Sequence, residues 1–137
     1  MVYSCALRGF YLWVSKLDQV MVSEIERTII DCLNHPQHCG GIPEIAKGIW
    51  IRRHEINWER LLEYAHRLNK KVVFHRLGFL LELYDLATKK FRNKLRRELS
   101  SSFPLLDTQM PKNGPYQSSW HLQVNIPTEE LEQIRFT

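Results

Sequence analysis

No stretch of this chain approaches the ~20 consecutive apolar residues that a membrane-crossing helix needs, so no membrane partner is expected. A secretory leader is not expected either, because Arg8 and Gly9 interrupt what would be its apolar run. Cysteine is scarce: Cys5, Cys32 and Cys39 cannot all pair within one chain, and their spacing does not resemble a small secreted disulfide scaffold. A reducing cytoplasm is the expected compartment. Glycine and proline number only six each, and no phosphate-cradling glycine loop, HExxH or G-x-S-x-G occurs among them. The recognisable enzyme motifs are therefore missing, and neither a catalytic residue nor a cofactor is expected. Charge of neither sign dominates, with 19 Lys and Arg against 15 Asp and Glu. The net charge of +4 permits an acidic partner without demanding one.

Internal repeats are absent, and the only biased segment is the serine triplet 100–102. At 137 residues the whole chain, 1–137, is expected to form one domain with one core. The segment VSEIERTIIDCL, from Val22 to Leu33, organises it. Ser23 stands three residues before Glu26, the capping-box spacing in which a hydroxyl and a carboxylate each satisfy a backbone N–H at a helix start. Ile29, Ile30 and Leu33 then share one face, while Arg27 and Asp31 form an i, i+4 pair elsewhere on the helix.

Ahead of this helix, the run FYLWV from Phe10 to Val14 and the later Val20, Met21 and Val22 read as a hairpin, with strands at about 8–22. So early a first strand suits either a compact domain or the remainder of a longer protein. Behind the helix, Pro36 and the Gly40–Gly41 pair make a breaker-rich loop. Pro43 then opens a second helix with an apolar stripe of Ile45, Ala46, Ile49 and Trp50. Asn57 is placed to cap a third, with Leu61, Leu62, Ala65 and Leu68 spaced for burial. The strongest periodicity lies in a fourth, Lys71 to Leu86, where Val73, Leu77, Leu80, Leu81 and Tyr84 recur. Gly78 inside it costs ~1 kcal/mol relative to alanine, which implies close packing against another element. Arg76 lies beside the stripe, where a carboxylate partner would suit it.

Thr88 is placed to cap a fifth helix in which Phe91, Leu95 and Leu99 form one narrow stripe. Lys89, Lys90, Arg92, Lys94, Arg96 and Arg97 cover the rest, giving a strongly basic surface suited to phosphate backbones. His66, Arg67, Lys70 and Lys71 extend it if the third and fifth helices lie side by side. Few aromatic residues flank it, which argues against stacking on single strands. A solvated, solubilising face is the plainer account of the same charges. Residues 112–119 read as loop, and Trp120 to Ile126 alternates apolar and polar residues as a half-buried strand, with Pro127 closing it and a short helix over Glu129 to Ile134.

One chemical alternative is a metal site. Cys32, His35, His38 and Cys39 lie within eight residues, and zinc accepts two thiolates and two imidazoles. Zinc modules normally bring two distant ligand pairs together, however, and here Pro36 and the glycine pair already account for the loop. No metal is expected on that spacing.

The segment VSEIERTIIDCLNHPQHCGGIPEIAKGIW resembles the signature of the AbiEi abortive-infection antitoxin family, type IV toxin–antitoxin regulators with a similar V-S-D-P-E-R-T-L-L-D segment, a Gly-Gly turn and a helix. The later segments WERLLEYAHRL, HRLGFLLEL and WHLQVNIP resemble the family's carboxy-terminal half. One departure is Ile25, where the family usually has proline. The matching positions are Glu26, Arg27, Thr28, Asp31, Arg76, Gly78, Trp120 and Asn125. The resemblance implies the antitoxin's carboxy-terminal domain without the winged helix-turn-helix that family members typically place before it, so no winged-helix DNA contact carries over.

The expectation is thus an α+β domain, with about five helices over 24–100 packed on a small sheet made from the amino-terminal hairpin and a late strand at about 119–126. Its implied function is that of an antitoxin-type regulatory domain counteracting a nucleotidyltransferase-like toxin, with a nucleic-acid surface on the basic helix. The alternative is a DNA- or RNA-binding transcriptional regulator domain with no toxin partner.

Overall fold

A computed structural model of the protein describes residues 25–136. The expected hairpin of Phe10–Val14 and Val20–Val22, and the Ser23 half of the capping box, lie outside the described residues. Within them the chain is a small α+β fold: α1 (Ile25–Asn34), α2 (Ile42–Ile51), α3 (Trp58–Leu68), α4 (Lys71–Leu83), α5 (Lys89–Arg96), β1 (Tyr116–Gln117), β2 (Leu122–Gln123) and α6 (Thr128–Glu132). Single 3-10 turns follow α1 at Pro36–His38 and α6 at Gln133–Phe136. None of the described helices is long and apolar enough to cross a membrane.

Caps set the helix starts. Asn57 accepts the backbone N–H of Arg60 at 3.1 Å, and the Thr88 hydroxyl accepts that of Phe91 at 3.0 Å. Each thus satisfies a donor that its helix leaves free. The middle of the fold is α4 rather than α1. Every residue from Val73 to Leu81 is buried, because α1 and α5 pack on α4 while Trp120 covers another side. The stripe expected of an amphipathic helix is therefore continuous burial, with His75 and Arg76 drawn inside. Ile29, Ile30 and Leu33 of α1 are buried as expected, as are Leu61 and Ala65 of α3 and Phe91 and Leu95 of α5.

The late strand is shorter than the alternation suggests. Trp120, Leu122, Val124 and Ile126 are all buried, but only Leu122–Gln123 pairs, antiparallel to Tyr116–Gln117 in the expected loop. Two residues account for this. His121 adopts a left-handed conformation (φ 49°), which breaks the strand before it starts. Gly114 (φ 113°) lets the returning chain pass so close to Val124 that a Cβ would sit 2.3 Å from its carbonyl oxygen. Gln123 also bridges Leu105 on its other side, so the partners of the late strand among the described residues are its own neighbours, 104–106 and 116–117.

Candidate functional site

Of the eight positions that carry the resemblance, four fall into two knots, and the other four lie on α1. The first is built on Trp120. Its ring lies against the bare backbone of Gly78 on α4, its indole N–H donates to Glu82 one turn later, and the Arg96 guanidinium sits 4.2 Å above the ring centroid. Arg96 also donates to Glu82 at 3.1 Å. The glycine, the tryptophan and one cation of the basic helix are thereby locked together. Beneath them His75 is fully buried. Its Nδ1 faces the carbonyls of Trp120 and His121 at 2.9 and 3.0 Å, while Nε2 accepts the Ser100 backbone N–H at 3.1 Å. Carbonyls can only accept and an amide N–H can only donate, so the ring is neutral with its proton on Nδ1. Burial holds its pKa below the ordinary histidine value.

The second knot is built on the segment 105–111. Buried Arg76 donates Nη1 to the Leu33 carbonyl at the end of α1 (2.7 Å), and Nε and Nη2 to the Leu105 carbonyl (3.1 and 2.9 Å). Burial lowers its pKa to about 10, against the opposing pull of Asp107. The expected carboxylate partner is replaced by carbonyls, since Arg76 lies where α1 leaves its last acceptors open. Asp107 itself takes the Ile42 N–H at the start of α2 (3.1 Å) and the Gln109 N–H (2.8 Å). Asn125 then grips Asp107 from behind, accepting its N–H at 3.0 Å and donating to its carbonyl at 2.8 Å. That role turns Asn125 inward, against its expected place on a polar strand face.

At the head of α1, Glu26 is buried and accepts the Asn57 N–H at 2.8 Å, so it braces the capping residue of α3. Arg27 and Asp31 are exposed, and their expected i, i+4 pair does not close to ion-pair distance among the described residues. Desolvation raises the Asp31 carboxyl above the usual range, with Arg27 and His35 opposing it more weakly. Thr28 is half-buried on the same helix.

The candidate metal ligands point apart. Cys32 and Cys39 are buried free thiols, and their mutual hydrogen bond, together with burial, pushes the Cys32 thiol well above its ordinary pKa. His35 and His38 instead stack on each other at the exposed side, 5.2 Å between centroids. The four do not converge, and no group of three metal-type ligands occurs among the described residues.

The basic helix is less basic than its sequence. Arg92 is tucked against the link from α4, donating to the Leu86 carbonyl at 2.9 Å and reaching Asp85 at 3.3 Å. Lys94 faces Glu59 at 3.8 Å and Arg96 faces Glu82. Lys89, Lys90 and Arg97 have no ion pair among the described residues. The expected extension onto α3 and α4 is interrupted by acids as well: Glu98 engages both Lys71 (3.1 Å) and His66 (3.4 Å), and Glu63 engages Arg67 (2.8 Å). These pairs are exposed and screened, so they add little stability while cancelling the field that the sequence suggests.

His75, Glu82 and Asp107 were missing from the expected set. A histidine inside an apolar run and an aspartate two residues before a turn donor are the signals that mark two of them. Every buried side-chain nitrogen and oxygen among the described residues has a partner. In comparisons with protein-family models, curated proteins and solved structures, no match was found.

Proposed function

We propose that this chain is an antitoxin-type regulatory domain that counteracts a nucleotidyltransferase-like toxin by binding rather than by catalysis. The observation that supports this is the contact of Gly78 with Trp120, two resemblance-bearing residues far apart in sequence. Arg76 joins the end of α1 to the segment that Asn125 holds, and Gly78 receives Trp120. Among the described residues the chain's buried side-chain polar groups are all engaged by partners. Its contribution is a rigid frame that presents a surface. We assign its work to the cytoplasm, on the support of the two buried thiols that touch yet stay unpaired.

The test is an assay of the toxin's nucleotidyl transfer with and without the purified, folded chain. Loss of transfer in proportion to added chain is expected, and transfer unchanged at excess chain would refute direct inhibition. A DNA- or RNA-binding regulator domain without a toxin partner is the second reading. The unpaired Lys89, Lys90 and Arg97 favour it.

A further inference from the structure

At the carboxy-terminal end of α5 the fold assembles an aromatic cluster that no single stretch of sequence announces. Phe103 stacks on His121 with 4.9 Å between centroids and 23° between planes, and Tyr116 meets Phe103 edge-on at 5.9 Å. Tyr116 is 67% exposed and Phe103 38%, so both rings are open to solvent in part. The cluster is fixed rather than loose. His121 donates Nδ1–H to the Ser100 carbonyl at 2.8 Å, and its left-handed backbone is tied down by His75. Its Nε2 has no hydrogen-bond partner among the described residues.

The end of the basic helix lies beside this cluster. Arg96 reaches the Ser119 carbonyl at 3.4 Å, so the end of the basic helix abuts the turn that holds His121. Ser100, which anchors the imidazole, follows Arg97 by three residues. Counted at 3.6 residues per turn, Lys90 and Arg97 share the side of α5 opposite the buried Phe91 and Leu95, with Lys89 flanking them. Unpaired cations therefore lie on the helix whose end abuts the turn that carries His121.

We propose that this surface binds single-stranded nucleic acid, its bases stacking on Tyr116 and Phe103 and its phosphates lying along Lys89, Lys90 and Arg97. Two unlike demands select this occupant. Flat, solvent-exposed rings suit any base, and a line of cations suits a polyanion. A duplex satisfies only the second, because its bases are already stacked on one another. The proposal does not depend on toxin neutralisation.

Fluorescence anisotropy with a labelled oligoadenylate RNA of about 12 nucleotides tests it, beside a DNA duplex of similar length. Tyr116→Leu and Phe103→Leu should each weaken RNA binding roughly tenfold while leaving the salt dependence unchanged, and Tyr116→Phe should bind as the parent does. The pair Lys90→Gln and Arg97→Gln should make the slope of log K against log salt shallower by about 1.4, at ~0.7 per phosphate contact. Circular dichroism shows whether each protein is folded, and the exposed Tyr116 can change without unfolding it. Folded parent protein that does not bind at low salt would overturn the proposal. So would leucine variants that bind like the parent, or a duplex bound as tightly as the single strand.

Discussion

Gly78→Ala adds one methyl group where the structure has no room for it. The new Cβ would lie 2.0 Å from Trp120 Cζ3, 2.3 Å from Cε3 and 2.5 Å from Cη2, so either the ring or α4 must move by more than an ångström. The ring is not free to give: it is fully buried, its N–H is held by Glu82, its backbone N–H by Gln117 and its carbonyl by His75. Overpacking costs about 1 to 3 kcal/mol, and expelling a buried tryptophan about 3 to 5. Against this, alanine gains about 1 kcal/mol of helix propensity over glycine. The net loss is about 0 to 2 kcal/mol where the ring only shifts and about 2 to 4 where it is expelled, the latter a melting point lower by roughly 6 to 16 °C for a domain of this size. Urea unfolding of the parent, Gly78→Ala, Trp120→Leu and the double variant closes the cycle. In the Trp120→Leu background the clash is gone, so Gly78→Ala should be neutral or stabilising. Equal effects of Gly78→Ala in both backgrounds would refute the packing argument.

Asn125→Leu strips the Asp107 N–H and carbonyl of their partners inside the protein, and should cost about 2 to 4 kcal/mol by chemical denaturation. The buried, neutral His75 makes stability depend on pH. Below its ordinary value of 6.5 the unfolded chain takes up a proton that the folded chain refuses, so stability should fall as pH drops from about 6.5 toward the lowered folded value. The unfolding midpoint measured across that range should lose part of its slope in His75→Asn, and an unchanged slope would count against this assignment. Cys32 and Cys39 should resist iodoacetamide in the native state and react once unfolded, as read by mass mapping of the labelled peptides.

Local rules made much of the helical frame legible. Asn57 and Thr88 declared their helices by capping chemistry, and Gly78 announced a close approach because nothing else justifies a glycine inside so apolar a helix. The partner was not legible: Trp120 lies 42 positions away, and no pattern in either segment names the other. Burial of α4 on all sides was hidden for the same reason. Arg76 reads as a surface residue until the carbonyls of Leu33 and Leu105 arrive to satisfy it. The basic helix misled in the opposite sense. Its charges are local and visible, but the acids that cancel half of them, Glu59, Glu82 and Asp85, come from α3, α4 and the link after α4. The aromatic cluster of Phe103, Tyr116 and His121 depends on a left-handed turn that alternation cannot reveal.

The central claim, a toxin-counteracting scaffold, is tested most directly by growth when this chain is co-expressed with a growth-arresting nucleotidyltransferase-like toxin. The parent chain and the folded Lys89→Gln, Lys90→Gln, Arg97→Gln variant are both expected to restore growth, and Gly78→Ala to restore it only as far as it remains folded. Growth arrest that persists with an expressed, folded parent chain would contradict the account.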